Sequence, residues 1–327
     1  MRALVTGGAG FIGSHVVDRL CARGHAPRIF DLVQSPYLNG DVESVVGDLL
    51  DRRALDKAMS GCEAVIHLAA VADVNDVAAD PTRAEIVNAR GTQVALESAR
   101  EAGVPRFLYA STVWVYGGAD GDGRLLDENS PLVVPSHFYT ATKLAGEMYC
   151  RAYAEMYGLR QVTLRFGIPY GPRSRARAVV AAFVARALAG KSIIVAGDGL
   201  QSRQFVYVED LAEGVVAALK ADPPPAVYNL VGTDSITIRA VAEQVCELVA
   251  DVPIVHVDGR KADAELGRVS GELAARELGW SASTPFREGM RSYVDWVTAT
   301  SGSPRASTDS TIAGNASTVR RQEPGAL

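Results

Sequence analysis

The stretch T-G-G-A-G-F-I-G-S, residues 6–14, decides the fold of this chain. It follows the apolar run Ala3–Thr6, which is typical of a buried strand, and it leads into the helical pattern Ile12–Arg23. Its glycines recur at every third position, at Gly7, Gly10 and Gly13. Glycines in such a turn let backbone N–H groups approach a pyrophosphate, whose charge the helix N-terminus favours. The stretch therefore predicts a dinucleotide-binding fold, with a purely structural turn as the alternative.

The rest of the chain alternates short β-rich runs with amphipathic helical stretches. The further strand candidates are Arg28–Asp31, Ser44–Val46, Ala64–Leu68, Phe107–Ala110, Val162–Arg165 and Val227–Leu230. Further helical patterns cover Ala84–Ala102 and Phe138–Tyr157. Strands that alternate with helices predict a parallel sheet covered on both faces. The predicted fold class is α/β, a doubly wound Rossmann sheet.

Two acidic residues lie at the ends of the second and third predicted strands. Asp31 ends R-I-F-D, 18 residues after Gly13, where a carboxylate accepts hydrogen bonds from both ribose hydroxyls of adenosine. Its charge repels a 2′-phosphate, so NAD is favoured over NADP. Asp48, in V-V-G-D-L, is placed to accept a hydrogen bond from the adenine amino group. A turn residue is the alternative at both positions, more strongly at Asp48.

Composition narrows the class of protein. The 327 residues, 48% of them hydrophobic, suffice for one large or two modest domains. A net charge of −5 without a long basic run argues against nucleic acid as a partner. No run approaches the roughly 20 apolar residues that span a membrane, and no secretory leader follows Met1. We therefore expect a cytoplasmic protein without a nucleic-acid or membrane partner.

The cysteines indicate the redox environment. They are far apart and form no C-x-x-C pair: Cys21, Cys62, Cys150 and Cys246. This pattern favours reduced thiols in a cytosolic protein, and we expect no metal ion.

The stretch H-F-Y-T-A-T-K, residues 137–143, carries the candidate base. Tyr139 and Lys143 are four residues apart, so on a helix they share one face about one turn apart. An ammonium near a phenol favours the phenolate, and we expect it to lower the tyrosine pKa from about 10 toward neutrality. The pair alone is a weak signal, but it follows the glycine loop, Asp31 and a strand that ends in hydroxyls.

Together these motifs identify the chain as similar to an extended short-chain dehydrogenase/reductase of the NAD-dependent epimerase/dehydratase family, which acts on nucleotide sugars. The resemblance covers about residues 1–298. It also rests on H-L-A-A at 67–70, N-A-R-G-T at 88–92, S-T-V-W-V-Y-G at 111–117, L-R-F-G-I-P-Y-G-P-R at 164–173, G-D-G-L-Q-S-R-Q-F-V-Y-V-E-D at 197–210 and L-G-W at 278–280.

The resemblance implies a catalytic triad. In this family a hydroxyl five residues before the glycine of V-Y-G joins the tyrosine and the lysine, and counting back from Gly117 gives Thr112. The implied catalytic residues are thus Thr112, Tyr139 and Lys143. The NAD contacts predicted from the motifs are Gly7, Gly10, Phe11, Ile12, Gly13, Asp31, Asp48, Leu49, Leu68, Ala69, Ala70, Asn88, Ser111, Tyr139 and Lys143.

The resemblance also implies a substrate region. Arg203 and Arg260 are expected to hold the diphosphate of a nucleotide sugar, because guanidinium forks match phosphate oxygens. Asp263 would hold the ribose of uridine or thymidine, and Thr112 the sugar. Solvated arginines are the alternative at both positions.

The resemblance divides the chain into two domains and a tail. A Rossmann domain over 1–171 is expected to be completed by about 204–235. A smaller C-terminal α/β substrate domain is expected over 172–203 and 236–300. The tail 301–327 is expected to be disordered, since it is rich in small polar residues and has no hydrophobic period.

Two departures from the family bear on the substrate. Ile168 stands where the family often has an asparagine that touches the substrate. Asp73 and Asp76 follow H-L-A-A and face either solvent, which we favour, or a cationic amino sugar.

The residues after the triad threonine bear on the reaction. Val113 and Trp114 stand where the 4,6-dehydratase branch has Asp-Glu, and neither moves a proton. This favours a nucleotide-sugar 4-epimerase, with UDP-sugars preferred. A dehydratase, decarboxylase or 4-ketoreductase of the same family stays open, as does, remotely, a non-catalytic NAD-sensing protein.

The resemblance further implies a homodimer. The patterns over 84–102 and 138–157 resemble the helices that form a four-helix dimer bundle in this family, with Leu144, Met148 and Ala152 on one face. Packing within one subunit is the alternative.

Overall fold

The computed structural model describes residues 1–38, 40–117, 124–222, 226–259 and 267–300. The strands of these residues are β1 (Arg2–Thr6), β2 (Ala26–Asp31), β3 (Glu43–Val46), β4 (Ala64–His67), β5 (Arg106–Thr112), β6 (Arg160–Phe166), β7 (Ile168–Tyr170), β8 (Ile193–Ala196), β9 (Ser202–Tyr207), β10 (Ala226–Leu230), β11 (Ser235–Thr237) and β12 (Ile254–Val257). The α-helices are α1 (Phe11–Ala22), α2 (Arg52–Met59), α3 (Val74–Ala79), α4 (Pro81–Glu85), α5 (Gly91–Glu101), α6 (Phe138–Tyr157), α7 (Val179–Leu188), α8 (Val208–Ala217), α9 (Ile238–Leu248), α10 (Glu272–Leu278) and α11 (Phe286–Thr300).

A parallel seven-stranded sheet forms the centre of the described chain, in the order β10-β6-β5-β4-β1-β2-β3. The order reverses between β1 and β4, and ligands of such sheets bind outside the carboxyl ends of the strands at this point. Each of the seven strand candidates is a strand of this sheet, with ends within two residues of the prediction. The predicted doubly wound α/β fold is therefore confirmed.

Helices cover both faces of the sheet because its strands are apolar at successive positions. In β1, Ala3 and Val5 pack with α1 and α8 on one face, whereas Leu4 packs with α2 and α5 on the other. A third cluster is built from α7, α9 and α11 around Val184, Val245 and Met290. Of the helices in the described ranges, none is long and apolar enough to cross a membrane. The domain boundaries drawn from the sequence stay a prediction, and the tail 301–327 lies outside the described residues.

The helical pattern predicted over Ala84–Ala102 differs from the observed structure. It is divided into α4, a π-helical turn at Ile86–Arg90, and α5. The wider turn places the side chain of Asn88 against the loop that follows β4. Such π-bulges are frequent at functional sites.

Helix α6 lies directly on β5. A Cβ atom at Gly146 would be 2.1 Å from the hydroxyl oxygen of Tyr109, so only glycine permits this approach. The Tyr109 hydroxyl donates to the carbonyl oxygen of Lys143 at 3.2 Å, and the Lys143 ammonium donates to the carbonyl oxygen of Ala110 at 2.8 Å. These contacts fix the start of α6 over the carboxyl end of β5.

A buried histidine connects β1, β4 and α5. His67 Nδ1 lies 2.8 Å from the Thr6 hydroxyl, and Nε2 lies 3.1 Å from the Thr92 hydroxyl. Because Thr92 donates to the carbonyl oxygen of Asn88, it accepts from Nε2–H, which assigns the neutral Nε2–H tautomer. Burial, and then the charge of Lys143, lower the pKa of His67 to about 3.

This histidine predicts acid sensitivity of the fold. The unfolded chain binds a proton at His67 below about pH 6.5, whereas the folded chain does so only near pH 3. The free energy of unfolding is therefore expected to fall with decreasing pH across this window, by about 1.4 kcal/mol per pH unit from His67. Urea unfolding between pH 6 and pH 4 should show a shallower dependence in His67→Gln. The exposed His256→Gln is the matched control, and equal slopes in His67→Gln and wild type would contradict this account.

Candidate active site

The glycine loop joins β1 to α1 at the switch point of the sheet. Gly7 has φ +72° and donates to the carbonyl oxygen of Phe30 at 2.9 Å, and a Cβ atom at Gly13 would lie 2.1 Å from the carbonyl oxygen of Gly7. Both positions therefore require glycine. Gly10 caps α1 without a side-chain hydrogen bond, and the first turn of α1 contains no acidic residue.

The first turn of α1 therefore presents backbone N–H groups. They belong to the predicted contacts Phe11, Ile12 and Gly13. A helix N-terminus reached by glycines in this way fits a pyrophosphate, so these residues would hold the central phosphates of a dinucleotide.

The two predicted adenosine contacts follow the carboxyl ends of β2 and β3. Asp31 accepts a hydrogen bond from Ala9 N at 3.0 Å, which fixes its carboxylate beside the glycine loop. Burial raises the pKa of Asp31, and backbone N–H groups oppose that shift. Asp48 is exposed and accepts from Leu50 N at 2.9 Å, and the adjacent Leu49 is buried.

The segment after β4 lies against the glycine loop. Leu68 N donates to the Thr6 carbonyl oxygen at 3.1 Å, and a Cβ atom at Gly7 would be 2.7 Å from Ala69 N. The predicted contacts Leu68, Ala69 and Ala70 thus begin next to the pyrophosphate-binding turn.

Asn88 fixes the end of this segment. Its amide accepts from Val71 N at 2.7 Å and donates to the Val71 carbonyl oxygen and to the Thr142 hydroxyl, at 2.9 and 3.0 Å. These bonds use both amide hydrogens, so the Asn88 side chain joins the segment after β4 to α6. Its direct contact with the cofactor stays a prediction.

The proposed catalytic hydroxyls end β5, and Tyr139 and Lys143 begin α6. Thr112 is buried, and its oxygen accepts from Trp114 N at 3.3 Å, which leaves its proton to be donated. Ser111 donates to the carboxylate of Glu147, one turn after Lys143. Within the described part of the chain, the Tyr139 hydroxyl makes no hydrogen bond.

The expected lowering of the Tyr139 pKa by Lys143 is wrong for the chain by itself. Burial raises the pKa of Tyr139 to about 12, and the charge of Arg175 opposes the shift. Burial also lowers the pKa of Lys143 to about 8, and its ammonium donates to Ala110 rather than to the phenol. Burial therefore has a larger effect on the Tyr139 pKa than the Lys143 charge that the i, i+4 spacing places nearby.

The substrate region is described in part. Arg203 on β9 is 8% exposed, and its guanidinium carbon lies 5.2 Å from the centre of the Trp114 ring, which also makes an edge contact with His137. A narrow crevice here is lined by Val113, Ile168, Ser202, Arg203, Gln204, Ser235 and Gly267. Arg260 and Asp263 lie outside the described residues, so their roles stay predictions.

The acidic residues after H-L-A-A have local partners. Asp73 caps α3 by accepting from Asn75 N at 2.9 Å. Asp76 is exposed and forms an ion pair with Arg177 at 3.2 Å. The exposure of Asp76 agrees with the favoured interpretation that these side chains face solvent, whereas Asp73 is half-buried at its cap.

The sequence interpretation missed a buried ion pair under the site, Glu147 with Arg165, whose side chains are 4% and 5% exposed. The signal was present, because Arg165 interrupts the apolar run of β6 and Glu147 lies four residues after Lys143.

A family model described as the NAD dependent epimerase/dehydratase family matches residues 3–231. The chain belongs to this family, as its motifs predicted. It is an enzyme of that NAD-dependent family, and this membership confirms the predicted cofactor, NAD.

The relatives include both epimerases and dehydratases. The chain is 30% identical over 312 residues to a trifunctional UDP-glucose 4,6-dehydratase/UDP-4-keto-6-deoxy-D-glucose 3,5-epimerase/UDP-4-keto-L-rhamnose-reductase of Arabidopsis thaliana, covering 90% of this chain and 46% of that protein. It thus spans about half the length of this relative. It is 31% identical to dTDP-glucose 4,6-dehydratase of Streptomyces niveus, covering 90% of this chain and 92% of the relative. UDP-glucose 4-epimerase of Thermus thermophilus, solved in complex with NAD, superposes with a TM-score of 0.85 at 34% identity, over 92% of this chain and all of that one.

The close packing of the glycine loop predicts that one added methyl group at Gly13 weakens NAD binding. Gly13→Ala places a Cβ atom against the backbone of Gly7, where no flexible side chain can give way, and is expected to weaken NAD binding at least about tenfold. Calorimetric titration with NAD and the NAD content of the purified protein measure this. Gly271→Ala is the matched control, because its Cβ would meet Val231 at an ordinary 3.4 Å. Equal NAD affinity of Gly13→Ala and the control would contradict the assignment of this loop.

Proposed function

We propose that this protein is a nucleotide-sugar 4-epimerase that oxidises C4 of a nucleoside-diphosphate sugar transiently and returns the hydride to the other face. The observation that carries this proposal is the end of β5. There the hydroxyl of Thr112 is followed by Val113, which is buried, and by Trp114, which packs between Arg203 and His137. Neither residue moves a proton, and 4-epimerisation requires no proton transfer beyond the 4-hydroxyl.

The residues at the end of β5 and the start of α6 have complementary roles in this proposal. Tyr139 removes the proton of the sugar 4-hydroxyl as C4 is oxidised and returns it after the 4-keto sugar has turned over in the pocket. Thr112 donates its free proton to the sugar oxygen, and the Lys143 ammonium stabilises the phenolate. NAD held at the glycine loop would supply the acceptor and donor of the C4 hydride, and the positive charge of its oxidised form would counteract the raised pKa of Tyr139.

The substrate follows from the predicted diphosphate clamp. Arg203, buried beside the crevice, supports a nucleoside diphosphate, and Arg260 with Asp263 would complete the binding of a UDP-sugar. Ile168 lines the same crevice in place of the family asparagine, so a uronic acid, an N-acetylhexosamine or a specialised sugar is as open as glucose.

A 4,6-dehydratase is the second candidate, favoured by one residue. His137 lies beside Trp114 with ring centres 5.7 Å apart, and burial lowers its pKa, so it is a neutral acid/base group near the position of the missing carboxylates. Its Nδ1 is 2.9 Å from the Thr140 hydroxyl, which leaves Nε2 for chemistry.

We also infer a cytoplasmic homodimer. Large apolar side chains on α6 are exposed: Phe138, Met148, Tyr149, Met156 and Tyr157. Leu144, expected on the same face, packs within the subunit against a cluster that contains Val113 and Tyr116.

The proposed base predicts a specific loss. Tyr139→Phe is expected to lower kcat about 10²- to 10⁴-fold while NAD stays bound, because only the ionisable oxygen is removed. Products from UDP-glucose, UDP-glucuronate and UDP-N-acetylglucosamine, followed by proton NMR, measure turnover. The exposed Tyr149→Phe on the same helix is the matched control.

The same assay separates the candidates. A C4-inverted sugar made without added cofactor supports the proposal. A 4-keto-6-deoxy sugar that disappears in His137→Asn identifies the dehydratase instead, and full activity in Tyr139→Phe rules out both.

A further inference from the structure

The buried ion pair under the active site is not explained by stability. Arg165 Nη2 lies 2.7 Å from Glu147 Oε2, and Nε lies 3.1 Å from Oε1, so the guanidinium binds the carboxylate through two bonds. Buried pairs of this kind are often no more stabilising than apolar residues of the same size, because both charges lose their hydration. A role at the adjacent site accounts better for its presence.

The pair contacts both elements that carry the proposed catalytic residues. Glu147 lies on α6 one turn after Lys143, and it accepts the hydrogen bond of the Ser111 hydroxyl from β5. Arg165 on β6 is the register partner of Ser111. The carboxylate therefore fixes the residue next to Thr112 relative to the helix of Tyr139.

The far side of Arg165 extends the network to β10 and the segment before α10. Arg165 Nη1 donates to the Tyr116 hydroxyl at 2.8 Å, and Tyr116 donates to the Asn229 amide oxygen at 2.8 Å. The Asn229 amide nitrogen donates to the carbonyl oxygen of Ser270 at 3.1 Å. Arg165 is thereby held from both sides and cannot release Glu147 without breaking these bonds.

The Glu147–Arg165 pair also affects the ionisation of Lys143, which depends on the charges around it. The Lys143 ammonium lies 5.1 Å from the centre of the Tyr109 ring of β5, and His67 of β4 and Cys150 of α6 are further titratable neighbours. Tyr139 lies one turn before Lys143 on α6. Burial raises the pKa of the two phenols and the thiol and lowers that of the imidazole, so all four are neutral at pH 7.

The positive charge of Arg165 is bound to the far side of Glu147 through two hydrogen bonds. Cys150, and then Glu147, oppose the effect of burial on the Lys143 pKa. Because burial keeps the Cys150 thiol protonated, the carboxylate of Glu147 is the negative charge of the two.

We propose that Glu147, held by Arg165, is a positioning residue that fixes Ser111 at the end of β5 and supplies a buried negative charge one helical turn from Lys143. This inference rests on the proposed roles of Tyr139 and Lys143, but not on which sugar is the substrate. Its direct consequence is that Lys143 stays charged at the pH at which the phenolate must be stabilised.

The test follows the ionisation of Lys143 itself. The chain contains five lysines, so a ¹³Cε-lysine NMR titration of the full-length protein is tractable, and Lys143→Arg assigns the signal. Lys143 is expected to titrate near pH 8 in the wild type and at least about one pH unit lower in Glu147→Gln. Glu147→Asp, which keeps the charge, restores the wild-type value. Glu155→Gln, an exposed site on the same helix, is the matched control.

A variant that removes both charges guards against misfolding. Glu147→Gln combined with Arg165→Met removes the ion pair as a whole, so no unpaired guanidinium stays buried, and it is expected to fold. Its Lys143 is still expected to titrate below the wild-type value, by less than in the single variant because the charge of Arg165 is also gone. An unchanged or raised Lys143 titration in both Glu147→Gln and the double variant would overturn the proposal.

The kinetic readout separates positioning from a general structural defect. A one-unit shift lowers the charged fraction of Lys143 about fivefold at pH 8 and hardly at pH 6, so kcat of Glu147→Gln should fall about fivefold at pH 8 with KM for the sugar unchanged. A uniform loss at all pH values would contradict the effect of Glu147 on the ionisation of Lys143. Because the NMR titration needs no substrate, it is decided independently of the proposed reaction.

Discussion

The close approach of α6 to β5 is the contact on which the site depends. Gly146 admits the Tyr109 ring, and the Tyr109 hydroxyl and the Lys143 ammonium then bond across the same interface. Tyr139 is thereby placed over the end of the strand that carries Ser111 and Thr112. The parallel sheet brings that strand end to the same edge as the glycine loop, so the cofactor site and the proposed catalytic residues lie at one edge of the sheet.

Burial and charge act against each other throughout this site. Burial raises the pKa of Tyr139 and lowers that of Lys143, and both changes disfavour the phenolate–ammonium pair that proton transfer from the sugar requires. The opposing effects come from groups outside the pair: Cys150 and then Glu147 raise the pKa of Lys143, and Arg175 lowers that of Tyr139. Each of these charges shifts a neighbouring pKa more strongly in a site that excludes water than it would in water. This suits a site that reverses one oxidation in every turnover.

The sheet could be predicted from sequence because both faces of its strands are buried, which produces continuous apolar runs such as that of β4. The strands β7, β8, β9, β11 and β12, which form the two smaller sheets, were not predicted. Each pairs with a segment far away in the sequence, and several of their positions are half-buried or exposed. The glycine loop and the acidic ends of β2 and β3 were predictable because their chemistry is local. The ionisation of Tyr139 was not, because it depends on burial and on which acceptor the Lys143 ammonium finds. The role of Asn88 was not predictable either, because spacing along the chain does not reveal that its amide forms hydrogen bonds with Val71 and Thr142.

Reaction of the purified protein with UDP-sugars in D₂O, followed by NMR, tests the central claim most directly. Hydride return at C4 breaks no other carbon–hydrogen bond, whereas loss of water across C5 and C6 breaks the C5–H bond and takes hydrogen from solvent. The end of β5, with valine and tryptophan after Thr112, predicts a C4-inverted sugar that carries no deuterium on carbon. A 4-keto-6-deoxy sugar with deuterium at C5 would contradict this account.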